Sequence, residues 1–176
     1  SPHVIKSGTL EVAAPAGPVS IDTGASNAGI VRIKRGTLEL VQMKKTFDQL
    51  TSGRLQLAAR TTVRSDYPIN VRGTVAGIGT IDGDLIPRGI VQCGDTGSAG
   101  RLKVTGALQL TPSSTVRLHV DTPRRVGGVD VGGQVFADGR IEVTLAPRIS
   151  SSGSLELIKG GAATLVGGRF AEASLP

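Results

Sequence analysis

Hydrophobic and polar positions alternate along this chain in short bursts, and each burst starts from a glycine. One five-residue phrase occurs seven times: Gly, a small or polar residue, Leu or Ile, a polar residue, then Val or Leu. It runs Gly8-Thr9-Leu10-Glu11-Val12, Gly36-Thr37-Leu38-Glu39-Leu40, Gly53-Arg54-Leu55-Gln56-Leu57 and Gly100-Arg101-Leu102-Lys103-Val104. It returns as Gly106-Ala107-Leu108-Gln109-Leu110, Gly139-Arg140-Ile141-Glu142-Val143 and Gly153-Ser154-Leu155-Glu156-Leu157. Apolar residues two apart project to one side of a strand and the polar residue between them to the other. The phrase therefore predicts a turn glycine, supplying a positive φ, followed by a strand with one buried face.

The same reading places strands at Val4–Ile5, Thr9–Ala13, residues 30–33, Thr37–Val41, residues 54–58 and residues 62–64. Met43, Phe47 and Leu50 have helical spacing, but two alternating strands follow at once, so residues 46–50 read as a strand. Pro15, Gly17 and Pro18 read as breakers. Alternation is cleanest at residues 100–120; residues 121–133, rich in Gly and holding Pro123, read as a loop. Strands resume at Arg140–Leu145 and residues 154–158. The phrases are separated by 28, 17, 47, 6, 33 and 14 residues, too irregular for a rigid helical or leucine-rich repeat. A β-solenoid with loops of variable length accommodates this, at roughly 20 residues per turn. An antiparallel sandwich is the competing arrangement.

Composition narrows the core. Hydrophobic residues make up 39% of the 176 residues but aromatics only 2%, with 25 glycines, so the core is aliphatic and interrupted by frequent turns. The net charge is +6, spread along strands as in Val31-Arg32-Ile33-Lys34-Arg35 rather than clustered with aromatics, which argues against nucleic-acid binding. Weak attraction to acidic polysaccharide or anionic surfaces remains compatible with it. Cys93 is the single cysteine, so no internal disulfide is available. The sequence carries neither a signal peptide nor an apolar run long enough to span a membrane, and its ends read as those of a piece of a longer chain.

Gly77-Ile78-Gly79-Thr80-Ile81-Asp82-Gly83-Asp84-Leu85 is followed by Cys93-Gly94-Asp95-Thr96-Gly97-Ser98-Ala99-Gly100 and then by two of the phrases. With Val129-Asp130-Val131-Gly132-Gly133-Gln134-Val135, Gly139-Arg140-Ile141-Glu142-Val143-Thr144-Leu145 and Gly167-Gly168-Arg169-Phe170, this order resembles the C-terminal part of autotransporter passenger domains, the type V secretion proteins of Gram-negative bacteria. The resemblance is clearest over residues 73–170. Cys93 stands where that family usually has Pro, and only Asn27 and Asn70 represent its Asn-rich ladders. The resemblance implies a right-handed parallel β-helix of about eight rungs, capped or irregular at the C-terminal end. Residues 1–72 would be β-helix rungs and residues 73–176 further rungs with an autochaperone-like cap, all in one continuous solenoid.

It further implies a structural, non-enzymatic role. The passenger would leave through the periplasm and its own outer-membrane translocator barrel, which this chain lacks. It would fold from its C-terminal end outside the cell and present an adhesin or virulence region at the bacterial surface. Host surface or matrix molecules are the implied partners and a monomer the implied state. A polysaccharide-acting β-helix enzyme and a trimeric phage tail-fibre segment are the alternatives.

No catalytic, cofactor-binding or metal-binding residues are assigned. His3 and His119 are the only histidines. His119 and Asp121 would share a strand face, with Ser113 and Ser114 the nearest serines in sequence, but no Gly-x-Ser-x-Gly motif accompanies them. Asp82, Asp84 and Asp95 sit beside glycines as turn residues do and lack a calcium-binding repeat. Asp82 and Asp84 would face the same way, and with Arg101 they are the residues an enzyme reading would use. The glycines at 77, 79 and 83 have the wrong spacing for a nucleotide loop. Cys93 lacks an activating neighbour in sequence.

Overall fold

The computed structural model describes residues 4–5, 7–14, 16–22, 26–41, 47–49, 52–147, 149, 154–161 and 166–174. His3, Met43, Leu50 and Gly153 lie outside these residues. The architecture is all-β: strands return to the same three sheets in strict rotation, so the chain winds as a parallel β-helix. The first coil holds β1 (Val4–Ile5), β2 (Thr9–Ala13) and β3 (Val19–Asp22). The second holds β4 (Ser26–Asn27), β5 (Ile30–Arg35) and β6 (Thr37–Val41), and the third β7 (Phe47–Gln49), β8 (Arg54–Leu57) and β9 (Thr62–Ser65). Then come β10 (Ile69–Val71), β11 (Thr74–Gly77) and β12 (Thr80–Asp82), followed by β13 (Leu85–Pro87), β14 (Ile90–Cys93) and β15 (Arg101–Val104). The sixth coil contains β16 (Leu108–Gln109), β17 (Thr115–Thr122), a short antiparallel partner β18 (Arg125–Val126), and β19 (Gly128–Val131). The seventh has β20 (Val135–Ala137), β21 (Arg140–Leu145) and β22 (Ile158–Gly160), and β23 (Val166–Gly168) with β24 (Glu172–Ser174) begin an eighth. The first, second and third strands of successive coils form sheets A, B and C respectively.

Stacking is in register. On sheet B, Val31, Leu55, Val75, Val91 and Val116 pair one above the next, and all are buried. On sheet C the column is Leu38, Val63, Ile81, Val104 and Val131; on sheet A it is Ile69, Leu85, Leu108 and Val135. These columns form one continuous aliphatic cluster from Val12 to Val143, in which no fully buried member is aromatic. Parallel sheets are usually covered on both faces and read as unbroken apolar runs. Here each sheet faces the narrow interior on one side and solvent on the other. Its strands therefore alternate, as antiparallel strands do, and alternation alone did not separate the solenoid from the sandwich.

The recurring phrase does not mark one position of the coil. It opens strands in all three sheets: β2, β8 and β21 in B, β6 and β15 in C, and β16 in A. Its irregular spacing follows from that. Nor do all its glycines serve one purpose. Gly36 has φ +84°, with Ala14 O 2.0 Å from where a Cβ would lie, so it meets both demands at once. Gly100 lies outside the positive-φ set, and its need is room: a Cβ there would sit 2.7 Å from the Gly94 Cα of its own coil.

Three local expectations are corrected. Residues 154–157 are not a strand; the Glu156 carbonyl accepts from Arg101 Nη1 at 3.1 Å, and the strand begins only at Ile158. Residues 121–133 are mostly strand rather than loop, because Gly128 and Gly132 lie where neighbouring backbone comes within 2.3–2.5 Å of an added Cβ. Val129 and Val131 between them point into the core. Val19–Asp22 forms β3 directly after Pro18, which ends a turn without preventing the next strand. The strand reading of residues 46–50 holds for Phe47–Gln49.

Coil length varies widely. Ile69 to Leu85 is sixteen residues, and Val135 to Val166 is thirty-one. Leu102 and Leu108 are both fully buried, in adjacent columns. Leu102→Asp or Leu108→Asp places an unpaired charge in the core, at a cost on the order of 4–5 kcal/mol. Urea titration followed by circular dichroism should show loss of cooperative folding; a native-like transition in either variant would refute the inward stacking of these columns.

Candidate functional site

Polar side chains on the outer faces stack just as the apolar ones do inside. A ladder climbs sheet C. Ser20 Oγ donates to Glu39 Oε2 at 3.4 Å, and Arg64 bridges Glu39 at 3.1 Å and Asp82 at 2.9 Å. Thr105 Oγ1 then donates to Asp82 Oδ1 at 2.8 Å. The Arg64 hydrogen bond, followed by that of Thr105, holds the Asp82 carboxyl below the usual carboxylate range. Arg101 reaches across to Asp130, with Nη2 at 2.8 Å and Nε at 2.9 Å from the same oxygen.

A concavity lies on sheet B, where the strands run out toward sheet C. It is a cleft of about 200 Å³ beside the turn at residues 94–97, lined by Gln92, Arg117, His119, Glu142 and Thr144 among others. The parallel register of β17 and β21 builds it, opposing Arg117 to Glu142 and His119 to Thr144. Arg117 Nε donates to Glu142 Oε2 at 2.6 Å. His119 Nδ1 lies 2.8 Å from Thr144 Oγ1, and Nε2 lies 3.4 Å from Asp121 Oδ1. Asp121 is fixed in turn by the Ala99 N–H at 3.1 Å and by Arg125 Nε at 3.1 Å.

His119 and Asp121 thus do share a face, as their spacing suggests. Hydroxyl, imidazole and carboxylate in series are the components of an activated nucleophile. The hydroxyl, however, belongs to Thr144 and not to a serine, and it also lies 3.2 Å from the Leu118 carbonyl as donor. A hydroxyl has one proton, so Leu118 O competes with the imidazole for it. Ser114 is buried in the turn before β17, donating to Pro87 O at 2.6 Å and accepting from the Thr111 N–H at 2.7 Å. Ser113 bonds Thr111 in the same turn at 3.1 Å. Neither reaches His119.

The three aspartates are not brought together. Asp82 ends β12 within the sheet C ladder, whereas Asp84 lies in the following turn and accepts from the Ala107 N–H at 2.7 Å. The Asp95 carbonyl accepts from the Ser98 N–H at 3.1 Å, in the turn that borders the cleft. Arg101 faces Asp130 instead of either Asp82 or Asp84. Among the described residues no group of three His, Cys, Asp or Glu side chains is placed to hold a metal ion. The thiol of Cys93 points into the core, where burial pushes its pKa up to about 12. Sequence reasoning passed over Thr144, Arg117 and Glu142. Their signal is a 25-residue offset between polar positions of two well-defined strands, visible once β17 and β21 are known to pair.

Compared with family models, curated proteins and solved structures, the chain matches none.

Asp82 is a carboxylate whose folded pKa is depressed, so its contribution is present above the unfolded value, about 4, and is lost as pH falls through the folded one. Asp82→Asn should lower the urea midpoint at pH 7, and the gap to the unmodified chain should close as pH drops below the carboxylate range. A gap that stays constant with pH would remove the ion pair as its cause. The Cys93 thiol should be inert to a disulfide reagent in the native chain and react at once in denaturant; fast native labelling would contradict its burial.

Proposed function

We propose that this chain is a structural passenger segment of an autotransporter. It crosses the outer membrane of a Gram-negative cell as an extended chain and folds outside. It carries more N-terminal regions at the surface, where an adhesin or virulence function would act on host surface or matrix molecules. The observation that supports this most is the in-order parallel stack, in which each coil lies beside the one before it in all three sheets. Such a stack grows by docking one coil on the next and needs no external energy source. A single buried cysteine leaves no internal disulfide to form before export. The ordered motifs of residues 73–170, which resemble passenger C-termini, give the direction: residues 73–176 nucleate the fold, and the remaining coils add onto them.

A polysaccharide-acting β-helix enzyme is the second reading. The cleft beside His119 favours it, since Arg117, Glu142 and the Thr144–His119–Asp121 series open onto one concave surface.

Export is the test. The chain is placed between a secretion signal and an outer-membrane translocator barrel, and external protease is added to intact cells. The full chain should be displayed as a protease-resistant fragment, whereas a version ending at Ala99 should be displayed poorly or be digested. Equal display and resistance of the two would remove the nucleating role; retention of the full chain inside the cell would remove the passenger reading.

A further inference from the structure

The corner that joins sheet A to sheet B is a hydrogen-bonded ridge, basic in its middle coils. At each coil the first N–H of the sheet B strand donates to a carbonyl in the corner one coil earlier: Ile30 to Gly8, Arg54 to Gly29, Thr74 to Gly53, Ile90 to Gly73, Thr115 to Gly89 and Arg140 to Ser114, all at 2.8–2.9 Å. The described corner residues of the first six coils are 7–8, 28–29, 52–53, 72–73, 88–89 and 110–114, and none is Asp or Glu. The first acid on this line is Asp138, in the seventh coil.

Three consecutive coils add arginines to it. Arg54 opens β8, and the dipeptides Arg72-Gly73 and Arg88-Gly89 repeat at the same corner position in the next two coils. Arg88 lies directly over Arg72, since both the Arg88 and Gly89 N–H groups donate to Val71 O and a Cβ on Gly89 would meet Arg72 O at 2.2 Å. Both side chains are exposed and Arg54 is half-buried. Several stacked cations on the sheets meet carboxylates: Arg64, Arg101, Arg117 and Arg140 all do so within 3.1 Å. None of Arg54, Arg72 and Arg88 has a carboxylate at ion-pair distance among the described side chains.

We propose that this ridge binds a linear acidic polysaccharide, sulfated or carboxylated, lying along the helix axis. The backbone positions of Arg72 and Arg88 are one strand spacing apart, about 4.8 Å, and Arg54, which pairs with Thr74, flanks them two residues further along in the coil before. Guanidinium groups so grouped offer bidentate donors to sulfate or carboxylate groups. An extended glycan chain carries such groups at intervals of the same order. The hydroxyls of Ser52 and Thr111 lie in the same line of corners; they donate to Ala28 O and Pro87 O, each at 3.1 Å, which leaves their oxygens to accept from sugar hydroxyls. No corner residue of the first six coils is aromatic, so the ridge has no platform for stacking bases and favours a glycan over single-stranded nucleic acid. The ridge keeps this chemistry whether or not the chain is an exported passenger.

The test is calorimetric titration of the full 176-residue chain with a heparin oligosaccharide at physiological ionic strength, repeated over a range of salt. Arg72→Ala/Arg88→Ala should weaken binding about tenfold or more and flatten the salt dependence. The control Arg124→Ala/Lys159→Ala removes the same charge from exposed positions elsewhere and should stay within about twofold. Arg72→Gln alone gives a smaller loss of the same sign, should the double variant fold poorly. Equal loss in the control would mean that overall charge alone attracts the glycan and would overturn the proposal. So would an absence of heparin binding by the unmodified chain. Single-stranded DNA bound as tightly, and lost in the same ridge variant, would overturn the choice of a glycan.

Discussion

Most backbone groups of the described residues find their hydrogen-bond partner one coil away. Apart from the short antiparallel β18, every sheet is a parallel ladder between consecutive coils, and the sheet A to sheet B corner continues that ladder through the turns. Much else follows from this. Parallel pairing in register places like positions over like positions, so the interior is a set of columns, each filled by side chains of similar size. A rise of about 4.8 Å per coil suits Val, Leu and Ile one above another and leaves little room for rings, which fits a buried core with no aromatic member. It also accounts for the glycines that tolerate no Cβ. Gly77 has φ +120° and the Leu57 carbonyl of the previous coil 1.9 Å from its missing Cβ, so the coils touch through backbone there.

The same registration governs the outer faces. Stacked identical charges would repel at every step along a column. On sheet C the sign alternates as Glu39, Arg64 and Asp82, and on sheet B Arg117 meets Glu142. Such exposed pairs add little stability individually; their main effect is that no column of one sign builds up. Arg72 stacked on Arg88, with Arg54 beside them, puts like charges together on a corner whose described residues hold no acid through six coils. An acid-free corner carrying arginines in three consecutive coils is more informative than the net charge of +6, which is spread over the whole surface.

Variation enters through coil length. The sixteen-residue step from Ile69 to Leu85 has the tightest corners, and the steps lengthen toward the C-terminal end. Extra residues leave the stack at defined places without altering the columns. The turn at residues 94–97 borders the cleft beside His119, and the stretch before β22 is held down by Arg101 through the Glu156 carbonyl. A solenoid can therefore acquire a local surface feature at one coil while the neighbouring coils stay the same.

Thr9–Ala13, Thr37–Val41 and Arg140–Leu145 were legible residue by residue, because a strand with one wet face writes its period of two directly into the chain. The aliphatic core and the shared face of His119 and Asp121 were legible for the same local reason, whereas the count of about eight rungs followed from chain length and the turn length of a solenoid. The Gly-rich stretch around Val129 and Val131 misled, since a glycine required for close approach looks the same in sequence as one required for a turn. The meeting of His119 with Thr144 and of Arg117 with Glu142, and the row of arginines on one corner, were decided only in three dimensions. A period of two says which way a side chain points and nothing about which strand lies beside it. That neighbour is one full coil distant, sixteen to thirty-two residues along the chain, an offset set by corners and excursions that no local pattern encodes.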